Sequence, residues 1–331
     1  KVPLTLVRKI NGCKADALNM GINISRYPYF ICMDADSVLQ YDSLTKIVVP
    51  VIEEENVVAV GGVVRPCNGI KIENGRVKNY HLPANIIAAM QVLEYDRSFL
   101  ASRILFDKFN ASLLISGAFG LFKKDVVTAA GGYDSKTMGE DMELVVKLHE
   151  YCILNNMDYR IRYATDAVCW SQAPESLRDL RKQRKRWHIG LFQTLAKHIE
   201  MLLNPRFGAI ALSYLYFFVF EFLSPFIEVF GLMSMFIAWA IDLINVPFMI
   251  VFLIVYTGFG CILTLTAFFA RVQISDLRIS SGDVLKAIML CFFEIGGLRF
   301  VMACVRATAL IGYNKKKLSW GRIERKKMDI K

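Results

Sequence analysis

FICMDADSV, residues 30–38, is an apolar run that ends on two carboxylates, Asp34 and Asp36, with only Ala35 between them. Phe30, Ile31, Cys32 and Met33 predict a fully buried strand, so the chain surfaces where the acids begin. Open α/β sheets bind ligands at the carboxyl ends of their strands. Two acids at such an end suit a hard divalent cation, Mg2+ or Mn2+, that keeps positions open for a diphosphate. A turn or helix cap built from aspartates also explains an isolated Asp-x-Asp, so the decision rests on what accompanies the pair.

The chain has 331 residues, 54% of them hydrophobic, and a net charge of +10. With a mean hydropathy of +0.37 it is too apolar for a purely soluble domain. Polar and apolar residues alternate as in a globular domain up to about Asn204, whereas charges become sparse from Phe207 to Gly312. The expected organisation is an α/β domain over 1–175, an amphipathic interfacial segment over 176–206, a membrane region over 207–312 and a basic tail over 313–331. The chain begins at Lys1, and VPLTLVRKI already reads as an interior strand, which predicts a piece of a longer protein. Eight cysteines form no CxxC pair and four histidines are dispersed, a pattern of reduced thiols with no zinc site. The basic clusters at 178–188, at Arg271 and Arg278, and at 315–327 flank apolar segments. Positive-inside placement accounts for them without a nucleic acid partner.

Upstream of the aspartates, NGCKADALNMGI (11–22) places Lys14 and Asn19 where a loop enters a helix, a setting able to aim a lysine and free N–H groups at a phosphate. A solvated lysine before an ordinary helix explains it as well. Further on, VVAVGGVVRP (57–66) is a β-branched strand whose paired glycines predict a bulge or close backbone approach. The stretch from Leu113 to Asp134 reads as a strand, a Ser116–Gly117 turn able to line a pocket floor, a short strand and a helix. In TMGEDMELVVKLHEYC (137–152), Glu140 and Asp141 open a helix, where acids also serve as plain helix-dipole partners. Last, QRKRW (183–187) lies on a basic amphipathic stretch suited to a membrane surface. Arg186 can form two hydrogen bonds to a phosphate, and Trp187 offers a flat face for a sugar.

The order of these motifs resembles the membrane-embedded family-two glycosyltransferases, a group that includes cellulose, chitin, hyaluronan and poly-N-acetylglucosamine synthases. The resemblance rests on Lys14 with Ala17-Leu18-Asn19, then Asp34-Ala35-Asp36, then Glu140-Asp141, then Gln183 to Trp187, followed by membrane helices. Within the group the chain most resembles bacterial poly-N-acetylglucosamine synthase-like proteins, on EIGGLRF (294–300) and LSWGRIER (318–325). It implies an α/β, partial Rossmann-like, A-type nucleotide-sugar glycosyltransferase domain followed by an interfacial helix and transmembrane helices. It also implies inverting, metal-dependent transfer of a sugar, N-acetylglucosamine foremost, from a UDP-linked donor to a growing glycan that passes through the bilayer, with an accessory membrane subunit as a further partner. In that reading Asp36, supported by Asp34, holds the metal, and Lys14, Asn19, Asp34 and Arg186 contact the donor. Asp141, with Glu140, provides the base, and Ser116, Gly117, Gln183 and Trp187 hold the acceptor. Two departures stand out: Gly139 replaces the family's usual threonine before Glu-Asp, and the family's opening half-domain with its first nucleotide-binding aspartate is not among these 331 residues, as expected of a piece of a longer protein.

In the membrane region, 207–241 is longer than the ~20 residues one crossing needs and is interrupted at Ser224-Pro225, which predicts a kinked span or re-entrant pair. Residues 246–270 predict a cleaner span, and 283–312, with Glu294, Arg299 and Arg306, a bent or interfacial segment. Glu221, Glu228 and Glu294 should face protein or a polar path, by pairing with arginines or by touching sugar. A cytoplasmic catalytic domain and a basic tail on the same side call for an even number of crossings of the cell membrane. Two rival readings remain: a non-processive glycosyltransferase that adds one sugar to a lipid or protein, and a non-catalytic basic membrane scaffold.

Overall fold

The computed structural model describes residues 3–99, 103–274 and 278–313. All of the expected basic tail except Tyr313 lies outside the described residues, as does LSWGRIER. In chain order the first part comprises α1 (Lys14–Ile24), β1 (Tyr29–Met33), β2 (Val38–Leu39), α2 (Ser43–Glu53), β3 (Val57–Pro66) and a hairpin of β4 (Lys71–Glu73) and β5 (Arg76–Asn79). Then come α3 (Ile86–Arg97), α4 (Arg103–Lys108), β6 (Phe119–Lys123), α5 (Lys124–Ala129), α6 (Glu140–Leu154), β7 (Arg160–Ser171) and α7 (Leu177–Lys197). The apolar part follows as α8 (Ala209–Tyr216), α9 (Ser224–Ala240), α10 (Val246–Ile274), α11 (Ser281–Phe293) and α12 (Arg299–Ala307).

Five strands form one mixed sheet in the order β1-β6-β3-β7-β2. Strand β6 is antiparallel to both β1 and β3, and β7 is parallel to β3, so β1, β3 and β7 run in one direction. Their carboxyl ends therefore share one rim of the sheet with the Ser116–Gly117 turn that leads into β6. Strand β3 is buried along its whole length, and its register against β7 shifts between Gly61 and Val63, the bulge that its glycines predict. Strand β1 corrects an expectation. Only Cys32 is buried and Met33 is exposed, because β1 pairs with β6 alone and forms an edge of the sheet. Leu113 to Ile115 are likewise not a strand: they are largely buried but unpaired, and the chain turns at Ser116, whose carbonyl accepts from Phe119 N–H at 3.1 Å. The main core under the sheet is built around α6, through Leu144, Val145 and Leu148, with Val127, Ile161 and Leu113.

Three helical stretches are long and apolar enough to cross a membrane: Ala209–Ala240, Val246–Gln273 and Ser281–Ala307. The first runs on through Ser224-Pro225, with a π-helical segment at Phe217–Leu223 just before the proline. The third is one helix with a π-helical turn at Glu294–Leu298, and no charge in it is left alone. Arg299 pairs with Glu228 at 2.7 Å and Arg306 with Glu221 at 3.4 Å. Glu294 takes a partner from the other part of the chain: Arg97 of α3 donates twice, at 2.9 and 3.0 Å, and also reaches Thr264 at 2.6 Å. Pairing of this kind removes the cost that makes a charged segment a poor crossing.

The α/β part and the apolar helices are thus packed together. Leu82, Ala89, Met90 and Leu93 share a core cluster with Phe268, Leu290, Cys291 and Ile295. Asp283 closes the contact by accepting from Leu82 N–H at 3.0 Å, while Lys286 donates to the Pro83 carbonyl at 2.6 Å.

Candidate functional site

The site is assembled at the sheet rim where β1, β3 and β7 end. Lys14, the first residue of α1, extends its ammonium between two carboxylates, 2.6 Å from Asp34 and 3.3 Å from Glu140. It also donates to the Gly117 carbonyl at 3.1 Å, and the Gly117 N–H donates to Asp141 Oδ2 at 3.1 Å. Residues from four separate stretches, at 14, 34, 117 and 140–141, therefore meet through one lysine and one peptide unit. Gly117 lies close under both groups: a Cβ there would stand 2.8 Å from Lys14 Nζ and 3.4 Å from Asp141 Oδ2, so the ammonium would have to shift. Burial pulls the Lys14 ammonium down, but Asp34 and Glu140 outweigh it and hold the pKa above its ordinary value. Glu140 is 3% exposed, and burial acts on its carboxyl in the opposite direction to its effect on the lysine. Burial, then the neighbouring Asp141, push its carboxyl up to about 7 against the pull of Lys14. Two adjacent acids at a helix N-terminus thus differ: Glu140 is sunk against lysine and Asp141 stands nearer the opening.

Asp34, Ala35 and Asp36 form the turn after β1, closed by Ser37 N–H donating to the Asp34 carbonyl at 3.1 Å. Asp36 is partly buried beside this turn. The donors are carboxylate oxygens, the chemistry hard divalent cations prefer. Among the described residues no three His, Cys, Asp or Glu side chains gather as a closed metal cage. An open pair of acids fits a cation that completes its shell with phosphate and water rather than one caged by protein. Asn19 has a different setting. Its amide donates to the Tyr133 carbonyl and accepts from Tyr133 N–H, both at 2.8 Å, and so ties α1 to the turn after α5.

Helix α7 forms the other wall. Ser176 caps it by accepting from Asp179 N–H at 3.1 Å. Gln183 and Arg184 are buried, Arg186 is partly exposed, and Trp187 is 41% exposed. Arg184 binds Glu94 at 2.7 Å while its guanidinium lies 4.5 Å from the Trp187 ring centroid, and Tyr95 approaches the same ring at 6.5 Å. The indole is thus braced by Arg184 and α3 and keeps surface for a ligand. One turn further along, Gly190 touches Gly139, the residue just before Glu140. A Cβ on Gly190 would lie 2.7 Å from both Cα and N of Gly139, and one on Gly139 would lie 3.0 Å from Gly190 Cα. Gly139 has an ordinary φ of −120°, so contact rather than backbone conformation demands the glycine. The departure from the family's usual threonine thus has a local reason: the N-terminus of α6 is set directly on α7, backbone against backbone.

Residues 29–272 match glycosyl transferase family group 2. The chain belongs to that family. Its fold is accordingly an A-type-like α/β glycosyltransferase fold followed by apolar helices. It is 33% identical over 194 residues to a poly-beta-1,6-N-acetyl-D-glucosamine synthase of Staphylococcus epidermidis, a match covering 57% of this chain and 41% of that protein. A poly-beta-1,6-N-acetyl-D-glucosamine synthase of Staphylococcus aureus strain COL is 33% identical over 192 residues, covering 56% and 40%. The match thus spans about two fifths of the length of these curated relatives. Among solved structures, a mannosyltransferase from Pyrobaculum calidifontis in complex with GDP-Man and Mn2+ aligns with a TM-score of 0.47 at 18% identity, over 90% of this chain and 66% of that one.

Of the residues singled out in the sequence, Lys14, Asp34, Gly117, Glu140 and Asp141 meet directly, and Gln183, Arg186 and Trp187 share the helix packed beside them. Ser116 shapes the turn through its carbonyl and its hydroxyl, which accepts from Ala118 N–H at 3.4 Å. Sequence reasoning missed Gly190, Arg184 and Glu94. For Gly190 a signal was present: glycine inside a helix costs about 1 kcal/mol relative to alanine, so its place in α7 calls for a packing reason.

Proposed function

We propose that this family member is an inverting, metal-dependent glycosyltransferase that adds a sugar, N-acetylglucosamine foremost, from a UDP-linked donor to a growing polysaccharide that passes through the membrane. The observation that carries the reading is the Lys14 ammonium held between Asp34 and Glu140 beside the Gly117–Asp141 hydrogen bond. It supplies positive charge next to a carboxylate at a ligand-binding strand end. The 33% identity to poly-beta-1,6-N-acetyl-D-glucosamine synthases favours that sugar and a polymeric product. The open, arginine-braced face of Trp187 favours an acceptor that stacks.

In the proposed reaction an acceptor hydroxyl attacks the anomeric carbon as the bond from that carbon to the diphosphate oxygen breaks, which inverts the centre. Asp141 takes the hydroxyl proton; its Oδ2 is already oriented by Gly117 N–H. Negative charge grows on the departing diphosphate, where Lys14 and Arg186 stabilise it. A Mg2+ or Mn2+ ion held by Asp36 and Asp34 would add Lewis-acid stabilisation of that leaving group. Glu140, buried and 3.3 Å from the Lys14 ammonium, anchors that lysine. Asn19 keeps α1, and with it Lys14, in place. The catalytic part faces the cytoplasm, where nucleotide sugars are made, α7 lies along the membrane surface, and the apolar helices form a multi-pass region in the cell membrane that an accessory subunit can join.

Two variants of the full-length protein test this assignment. Asp141→Asn should retain donor binding and lose transfer by about 100-fold or more, since it keeps shape but removes the base. Asp36→Ala should abolish the response of transfer to added Mg2+ or Mn2+. Unchanged turnover in either variant would remove the corresponding role.

A further inference from the structure

The segment in front of Glu140 and Asp141 has no cap of its own, because Gly139 offers no side chain to the first turn of α6. It is held from α7 instead. Gln193 Oε1 accepts from Met138 N–H at 2.8 Å and from the Thr137 hydroxyl at 3.3 Å. That hydroxyl in turn accepts from Gly139 N–H at 3.2 Å, so the chain of bonds ends at the residue that opens α6. The other end of the same amide, Nε2, donates at 3.0 Å to the hydroxyl of Tyr313, which lies beyond α12. Phe192 supports the tyrosine, ring edge to ring face at 5.9 Å.

We propose that Gln193 is a positioning residue for the acid pair and that Tyr313 anchors the far end of its amide. The proposal rests on the reading of Asp141 as the base. An amide has an accepting end and a donating end, and Met138 N–H can only donate, so only one orientation holds the loop. Met138 N–H sets that orientation, and Tyr313, whose hydroxyl accepts from Nε2, anchors the amide at its other end. Without Tyr313, Nε2 loses this partner and the amide is held against the loop by its oxygen alone. Gly190 sets how near α6 comes to α7, and Gln193 fixes where along α7 the loop sits. The catalytic geometry thus responds to the end of the third apolar helix, through one side chain that touches neither donor nor acceptor.

The test uses the full-length protein in detergent or lipid, with sugar transfer and amide hydrogen exchange over residues 137–141 measured together. Gln193→Leu should lower kcat by about tenfold or more with donor KM within about twofold, since a misplaced base impairs the chemical step rather than donor binding. Its loop amides should exchange faster. Gln193→Glu should keep kcat within about threefold of wild type, because a carboxylate still accepts from Met138 N–H and Tyr313 can reverse to donate to it. Tyr313→Phe, a change small enough to fold, should lower kcat by an intermediate factor and speed the same exchange. Wild-type kcat and exchange in Gln193→Leu, or in Tyr313→Phe should the leucine variant not fold, would overturn the proposal. So would a Gln193→Glu enzyme as impaired as Gln193→Leu. If the wild-type protein transferred no sugar, the functional reading would fail, and loop exchange in the three variants would still decide whether Gln193 holds the segment.

Discussion

Replacing Gly190 by alanine isolates the claim that α7 sets the position of the acid pair. The new Cβ would stand 2.7 Å from Gly139 Cα and N and 3.0 Å from the Met138 carbonyl carbon, about 0.7 Å inside the 3.4 Å at which ordinary contact begins. All three are backbone atoms, so no side chain can swing away, and the N-terminus of α6 must move off α7. A misplacement of about 1 Å can cost about 100-fold in rate, so a shift of ~0.7 Å predicts a fall in kcat of about 30-fold, or ~2 kcal/mol. Stability should fall by no more than about 2 kcal/mol, because overpacking costs about 1–3 kcal/mol while replacing glycine inside a helix returns about 1 kcal/mol. Gly139→Ala meets its nearest neighbour at 3.0 Å and should lose less. The assay is nucleoside diphosphate release with acceptor present, alongside thermal unfolding of the same samples. A Gly190→Ala enzyme with wild-type kcat, or one less impaired than Gly139→Ala, would refute the reasoning.

Two further outcomes follow from the charges. Arg97→Met leaves Glu294, 4% exposed, without its doubly bonded partner and should destabilise the protein by about 3–5 kcal/mol; thermal unfolding of Arg97→Met and of Arg97→Met/Glu294→Leu would check it, with the double variant recovering most of the loss. Glu140 has a carboxyl raised from 4.5 to about 7 in the folded protein, so the fold binds its proton more tightly than the unfolded chain does. Its contribution is full below about pH 4.5 and is lost as pH rises through about 7, with a slope of at most about 1.4 kcal/mol per pH unit. Melting temperatures in metal-free buffer should therefore fall with rising pH in the wild type relative to Glu140→Gln, and parallel curves would contradict the assignment.

Much of the site could be read in the sequence, because its residues sit at places local patterns mark. The apolar run into Asp34 predicts a strand end, Glu140 and Asp141 begin a periodic helix, and Ser116–Gly117 is a turn; the structure puts these places on one rim. Local pattern says nothing of which strand lies outermost, so β1 read as buried although it forms a sheet edge. Nor does it pair distant groups. Arg97 and Glu294 are far apart in the chain, so local pattern offers Glu294 the nearer Arg299 and Arg306 or a sugar and not its actual partner. Residues 281–307, expected as a bent or interfacial segment, form a helix with a π-helical turn at Glu294–Leu298 that is long and apolar enough to cross a membrane. Gly139 looked like a departure from a motif because its reason, Gly190, lies on another helix. The two bonds of Asn19 to Tyr133 join α1 to a segment more than a hundred residues away, which local pattern does not reveal.

The central claim is polymer synthesis from a nucleotide sugar, and the most direct measurement is to supply the full-length protein, reconstituted in lipid with Mg2+ or Mn2+, with a panel of nucleotide sugars and to identify the product. The account predicts a polymer of N-acetylglucosamine from the UDP-linked donor, formed only when a divalent cation is present. A single sugar added to a lipid or protein, or donor left unconsumed across the whole panel, would contradict it.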